Sequence, residues 1–598
     1  MLWAALFGCL CACGVATPAD DGFGRSRTET PVNTDDLCVT QGITRCTAGV
    51  YEVCRDGTWA VEETCGDPTP LCVPDGGCTA CNPDRTYCVG EDVHRCDGAG
   101  TAMSFEAECD FDEQCQAGQC RNACDVAEAQ RSYLGCEFLA VATTNLVDAA
   151  FNDDFAVVIG NPHPTAEAQV VVSRDGTNLR SLRVPPESAE AITLPIVPAL
   201  KGFTSSVIAP GGAFEVTSSM PVAAYQFNPL NFRVDTPDGP LASFTNDASL
   251  LLPVHALTGV YRANTHPSFG ILQPELPWQW LPGFVAIAAT QDGTTVEFSS
   301  NAFTLPGDVE VVSPGGRTHI QLDRGDVVQL LSRTHDGGDD PGFCATIGGR
   351  GGDAKGSATC FDDEGGDFTG SVVSADADVA VWAGHTCTFM PLESYACDHL
   401  EEMMFPRQTL GDLVVMTAPS HPSRSGEARA VYRVMSAVDD NFITFTPQTV
   451  AFDRTVDAGE FVEFMTDTDF VVLASGPVHV TQTLVGQREL VSTAGDPAMG
   501  SGVPLSQWRS EYDFLAPATY TTNHINVTAR DGTVVYLDGL LVDGWEDVAG
   551  TNYSVTRLDV SDGPHHIESL EAAPFGITSY GYADFTSYLT PGGMNFVR

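Results

Sequence analysis

Fourteen of the chain's 21 cysteines fall between Cys38 and Cys136, and this crowding constrains the chain more than any other feature. Thiols at such density persist reduced only in the cytosol or on a metal; in an oxidising compartment they close into bridges. Beyond residue 136 the cysteines are Cys344, Cys360, Cys387 and Cys397, so both groups are even, which suits bridges closed locally. The first group repeats. Cys38, Cys46, Cys54, Cys65, Cys72 and Cys78 match Cys81, Cys88, Cys96, Cys109, Cys115 and Cys120, with seven residues between the second and third cysteine of each copy. The match predicts one module over 38–80 and a second over 81–136, which carries Cys124 and Cys136 as a connecting pair. Modules of about 40 residues bury too little surface to fold unaided, and each bridge contributes about 2–4 kcal/mol by constraining the unfolded chain. Cys78 and Cys81 have the two-residue gap of a zinc ribbon, but they belong to different copies, so bridges are the expectation.

The 598 residues include 29 Lys+Arg against 79 Asp+Glu, a net charge of −50, which excludes a reader of nucleic acid or of anionic membrane. With 43% apolar residues the chain buries real cores, and 58 Gly with 37 Pro point to short strands joined by turns. The expected fold class is all-β. Residues 1–12 (MLWAALFGCLCA) are an apolar block that resembles a bacterial lipoprotein signal peptide, with Cys13 as the lipidated first residue, although the first basic residue is Arg25. Residues 13–37 read as a polar tether. No later stretch has the roughly 18 apolar residues of a spanning helix.

From Glu137 onward a second repeat runs through the chain, with two markers per copy. The first is an apolar strand, a tight turn and another strand: VVVSRDGTNL at 170–179, VAIAATQDGTTVEF at 285–298, YRVMSAVDDNFITF at 432–445 and INVTARDGTVVYL at 525–537. Asp-Gly between alternating apolar residues is a hairpin signal, because both residues tolerate the positive φ of a two-residue turn. The second marker is a polar turn feeding an apolar strand: SSMPVAAYQF at 218–227, ADADVAVWAG at 375–384, ASGPVHVTQT at 474–483 and EAAPFGITSYG at 571–581. The second copy holds a Gly/Asp-rich insert over 335–368 with Cys344 and Cys360. Four copies follow, at about 137–235, 250–406, 407–490 and 505–598. They are expected as tandem β-sandwich-like units, with a four-bladed propeller as the alternative.

The segment GHTCTFMPLESYACDHLEEMMFPRQTLGDLVV beginning at Gly384, with the strands before it, resembles the N-terminal domain family of IgGFc-binding proteins. The family's pattern falls on Gly384, Cys387, Pro391, Cys397, Asp398, His399, Leu400, Glu402 and Pro406, and the Asn228-Pro229 pair and SYLTPGG at 587–593 fit it too. The resemblance covers about 137–598 and implies an extracellular binding or adhesion domain without catalytic residues. Its namesake activity, binding antibody Fc, is not transferred to a bacterial lipoprotein.

His385, Cys387, Cys397 and His399 form the one cluster of metal-ligand types. Export favours a Cys387–Cys397 bridge over zinc, and Cys344 and Cys360 are expected to bridge the insert. Asp339, Asp340, Asp362, Asp363 and Asp367 lie among glycines, a flexible acidic loop whose only feature for calcium is its density of oxygens, and no other cofactor is expected. No G-x-S-x-G or phosphate-cradling Gly-Lys-Ser/Thr occurs, and Glu401-Glu402 reads as a solvated acidic face rather than a glycosidase pair. The sequence therefore points to a non-catalytic adhesion protein, lipid-anchored at the bacterial outer membrane or cell surface, that recognises an extracellular protein or glycan. A structural coat protein and a secreted hydrolase are the alternatives.

Overall fold

The computed structural model describes residues 38–597 except 39, 48–49, 67–70, 74–76, 91, 147–154, 232, 237–238, 243–244, 273–278, 334–357, 362–365, 393 and 395–396. The signal block, Cys13 and the tether lie outside the described residues. The chain divides into two compact units, Met1–Glu108 with Ala117–Gln119, and Cys109–Gln116 with Cys120–Arg598.

The first unit is built from small sheets, Thr44–Thr47 with Val50–Arg55 and Thr58–Thr64, and Thr86–Val89 with Asp92–Cys96 and Met103–Glu108. Asp56 and Gly57 turn one hairpin with φ of 52° and 81°, the left-handed pair that a two-residue turn requires. Sulfur does much of the work of a core: Cys38–Cys54, Cys46–Cys72, Cys65–Cys78 and Cys81–Cys96 are bridged, and Cys54 and Cys96 are almost wholly buried.

The second unit opens with the Cys109–Cys120 bridge and a helix, Ala123–Ala129, capped by Asn122, whose Oδ1 accepts from the Cys124 and Asp125 amides. Cys124–Cys136 ties that helix to the first strand of four β lobes. In each of the first three lobes one long strand runs through both halves of a single curled sheet. In lobe one it is Phe214–Phe227, whose first half pairs Gly135–Ala140 and Ala168–Arg174 and whose second half pairs Ala156–Asn161 and Ala248–Leu250. In lobe two Val372–Phe389 pairs first with Thr258–Arg262 and Thr294–Ser299, then with Gly283–Ala289 and Cys397–Met403. In lobe three Phe470–Leu484 does the same with Gly411–Met416 and Asn441–Thr446, then Ala430–Ser436 and Met499–Ser501. Lobe four divides the task between Gly563–Ser569 and Gly576–Ala583.

In the first three lobes the second sequence marker is the place where the long strand changes register between the two halves of its sheet. The register jumps from Glu137↔Thr217 to Gly135↔Val222, from Val260↔Ser374 to Thr258↔Val379, and from Leu413↔Leu473 to Gly411↔Val478. Pro221 and Pro477 sit in these bulges, where a missing N–H breaks no ladder. The first marker needs a correction. Its turns at Asp292-Gly293, Asp440 and Asp531-Gly532 join strands that pair with other partners and not with each other, as Gly283–Ala289 and Thr294–Ser299 do. Of the four, only Asp175-Gly176, one connection later in its lobe, closes a hairpin, between the paired strands Ala168–Arg174 and Thr177–Val184. The turn chemistry there is as expected, with φ of 48° and 67°, so turn residues alone do not say which strands they connect.

Each lobe is a sandwich. In lobe two, Val285 and Ile287 face Val296, Phe298, Ile320 and Leu322 across its own core, while Phe284, Ala286 and Ala288 on the other face join the core shared with lobe one. A strand buried on both faces explains the unbroken apolar run GFVAIAA. The four lobes also close on themselves. Their last strands, Ala248–Leu250, Cys397–Met403, Met499–Ser501 and Thr586–Pro591, pack in a cycle: the first touches the second and fourth, and the third touches the second and fourth. The segment leading into lobe one meets the last residues of lobe four at the seam between them, where Ser132 bridges Asn595, the Phe596 amide donates to the Arg131 carbonyl at 3.1 Å, and Met594 and Phe596 are buried. The architecture is all-β throughout, with sandwich units set around a ring as the blades of a propeller are.

Candidate functional site

The CDHL segment lies at the centre of the ring. Cys387 and Cys397 are bridged, closing the turn between the long strand and the last strand of lobe two. Asp398, His399, Leu400, Glu401 and Glu402 that follow are all buried, which corrects the expectation that Glu401-Glu402 is a solvated face. The Glu401 and Glu402 carboxylates are satisfied by residues remote in sequence, whereas Asp398 Oδ2 is buried with no hydrogen-bond partner among the described residues. Glu401 accepts from Gln226 Nε2 at 2.6 Å, from Thr143 Oγ1, and from Asn228 Nδ2 at 3.3 Å, and it lies 3.5 Å from His399 Nε2. Burial by itself would raise its pKa; the contacts of His399, Thr143 and Gln226 outweigh that and hold it below the usual value. Glu402 accepts from the Ser501 amide at 3.1 Å and from Ser249 Oγ at 3.4 Å, and here burial wins and pushes the carboxyl well up.

Asp398 Oδ1 takes the amides of Asn246 at 2.6 Å and His399 at 2.7 Å; burial, then the nearby Asp496 and Asp247, raise its pKa. Asp247 Oδ2 receives the Glu401 and Met499 amides, both at 3.0 Å. His385 is held near 3 by burial, with its Nε2 3.2 Å from the Pro267 carbonyl. The family motif thus supplies a polar junction that pins lobes one, two and three to each other. Its titrating groups are enclosed, so they order the ring rather than meet a ligand.

The acidic insert is seen in part. Asp339, Asp340, Asp362, Asp363 and Cys344 lie outside the described residues, and Cys360 stands in Ala358–Phe361, paired across from Gly270. Asp367 is committed elsewhere: its carboxylate meets Arg433 at 2.8 Å and accepts from Thr265 Oγ1 at 2.8 Å and Thr369 Oγ1 at 2.6 Å. Burial opposes its charge, but Arg433 and Thr369 prevail and hold it near 2. Arg433 also reaches Glu463 at 2.5 Å, so this cluster clamps lobe two to lobe three.

An open cleft of about 610 Å³ lies instead at the seam between lobes one and four. Pro162 and Pro164 form one wall; Phe514, Leu515, His565 and His566 form the other. Strand alternation sends His565 inward and His566 outward. His565 stacks on Phe514 with centroids 5.2 Å apart and meets Asp538 at 2.7 Å. His566 meets Asp513 at 2.7 Å, and that hydrogen bond raises its pKa against the opposing effect of burial. Two His/Asp pairs beside apolar walls make a site with ordered donors and acceptors. None of these residues was singled out from the sequence, since the wall comes from segments about 400 residues apart; His565-His566 beside alternating strand residues was the one available hint.

An all-β ring with a sealed polar centre and a surface cleft at its seam is the class of structure this chain builds. The profile of the IgGFc binding protein family matches residues 247–581, more than half of the chain, and the chain belongs to that family. No curated protein matches the sequence. Among solved structures, an anti-sigma factor domain-containing protein from Clostridium clariflavum is similar at 8% identity over 72% of this chain and 98% of that one, with a TM-score of 0.10, too low to support a fold argument. Among the described residues no helix is long and apolar enough to cross a membrane.

Proposed function

We propose that the chain is a non-catalytic binding protein of the cell exterior, whose ring body recognises an extracellular protein through the seam cleft. The observation that carries this reading is the separation of the two kinds of site. The strongly shifted acids Asp247, Asp398 and Glu402 are shut inside the ring, whereas the open cleft offers prolines, an aromatic wall and two His/Asp pairs. Membership of a family named for binding a protein agrees with it. In the same reading Cys13 carries lipid that tethers the chain to the bacterial outer membrane or cell surface, residues 38–136 form a bridged stalk, and Cys344 and Cys360 bridge the insert. Glycan as the partner, and calcium on the insert acids Asp339, Asp340, Asp362 and Asp363, are subsidiary forms of the proposal. The test is cross-linking capture of extracellular material by the oxidised full chain, with calcium and with chelator, beside a Pro164→Trp variant that fills the cleft. Saturable capture by the native chain that the variant loses supports the reading. Diffuse, salt-sensitive capture that is the same for both contradicts it and favours a coat protein.

A further inference from the structure

Beside the central junction a lysine amine, a side-chain amide and a carboxylate meet. Lys201, in the segment after Ser188–Thr193, is partly exposed along its stem, but its Nζ turns inward and donates to the Thr143 carbonyl at 3.0 Å and to Asn228 Oδ1. Asn228 follows the long strand Phe214–Phe227 and is buried; its Nδ2 donates to Thr143 Oγ1 at 2.9 Å and to Glu401 Oε2 at 3.3 Å, and lies 3.4 Å from His399 Nε2. The amine therefore touches the oxygen end of the carboxamide and the carboxylate touches its nitrogen end, so both flank the carbon Cγ. From this geometry we infer that Lys201 and Asn228 join in an intramolecular amide bond, with Glu401 carrying the proton between them.

The chemistry needs no outside reagent. Glu401 touches Nδ2 and not Nζ in this arrangement. As Nζ closes on Cγ it comes beside Nδ2 and within reach of Glu401, which accepts one proton from the Lys201 ammonium, and the freed lone pair of Nζ attacks Cγ of Asn228 while the carbonyl electrons move onto Oδ1. When the carbonyl reforms, the Cγ–Nδ2 bond breaks, Glu401 returns its proton to the departing nitrogen, and a second proton from Nζ leaves with it. Ammonium departs, the third proton stays on the new amide, and charge is conserved. Two features favour the step. Burial lowers the Lys201 pKa to about 8, which brings the neutral amine within reach near neutral pH. The reactants are also held together by the fold, and such fixed placement substitutes for a high concentration of nucleophile. The bond would staple the loop of residues 194–203 to the end of the long strand beside the ring's centre.

The test is peptide mass spectrometry on the folded, oxidised full chain after reduction and tryptic digestion. Trypsin does not cleave after an acylated lysine. The inference predicts residues 184–233 as a single species, lighter than its sequence mass by the roughly 17 Da of the lost ammonia, with fragments placing the link between Lys201 and Asn228. Separate, unmodified peptides 184–201 and 202–233 from the native chain would overturn it, and this reading does not depend on any variant folding. In a Glu401→Gln variant that retains the native cooperative melt the link is expected to be absent; a full yield of linked peptide there would overturn the role given to Glu401.

Discussion

Acidification should destabilise the ring through His479, by an amount that can be worked out from its surroundings. The side chain is buried, its Nε2 lies 3.0 Å from Ser501 Oγ, and its ring lies 5.9 Å from that of Phe405. Burial lowers its pKa to about 4. An unfolded histidine takes up a proton near 6.5, so between these values the unfolded chain is protonated at this site and the folded chain is not. The stability contributed is full above about pH 6.5 and is lost as the pH falls toward 4. At about 1.4 kcal/mol per unit, the gap down to about 4 sets a ceiling of roughly 3 kcal/mol. Asp247, Asp398 and Glu402 act in the opposite sense. Their folded pKa values are raised, so their contribution is greatest in acid and is lost as the pH rises through those values. Only a comparison isolates the histidine. His479→Gln keeps a donor for Ser501 and removes the titration. In urea unfolding with disulfides intact at about pH 7.5 and about pH 4.5, the variant should lose less stability than the native chain, the difference staying within the roughly 3 kcal/mol ceiling. Equal losses in the two proteins would refute the argument.

Three further outcomes follow from the packing. Phe596→Ala empties a buried site at the seam and should cost about 3–5 kcal/mol, read from the urea midpoint; a loss within error of zero would place Phe596 outside the closure. Glu402→Gln replaces a carboxyl that burial keeps protonated, so its melting temperature should match the native value in acid and exceed it in alkali, where the native acid must ionise; a lower value at every pH would mean that Glu402 is charged. Replacing Cys387 and Cys397 together with serine opens a loop whose ends are 10 residues apart and should cost about 2–3 kcal/mol. An unchanged melt would show that the junction does not depend on the bridge.

Local chemistry in the sequence foretold local structure. The even cysteine counts agree with the bridges seen, Asp175-Gly176 marked a hairpin, the other three first-marker turns marked tight turns between unpaired strands, and the prolines at 221 and 477 marked bulges in the long strands, because each depends on a few adjacent residues. A third marker was also readable. Pro253, Pro406 and Pro504 each begin a one-turn helix and are followed four residues later by Leu257, Leu410 and Trp508, and these turns lead from one lobe to the next. What could not be read was any feature whose partners are remote. Glu401-Glu402 looks solvated until Thr143, Gln226, Asn228, Ser249 and Ser501 are seen to satisfy it. The cleft and the closure share that difficulty, since residues near 132 and 160 meet residues beyond 510.

The account rests on closure: the cleft exists only where the end of the chain is fastened to lobe one. Chain ends ordinarily fray, so amide hydrogen exchange is a direct test. The Asn595 amide donates to the Gln507 carbonyl at 2.9 Å, the Phe596 amide to the Arg131 carbonyl at 3.1 Å, and the Val597 amide to Gln507 Oε1 at 2.9 Å. Closure predicts that these three amides exchange as slowly as those of the last strands, Cys397–Met403 and Thr586–Pro591. Exchange at the rate of free chain over 595–597, with those strands still protected, would contradict the ring and the seam cleft with it.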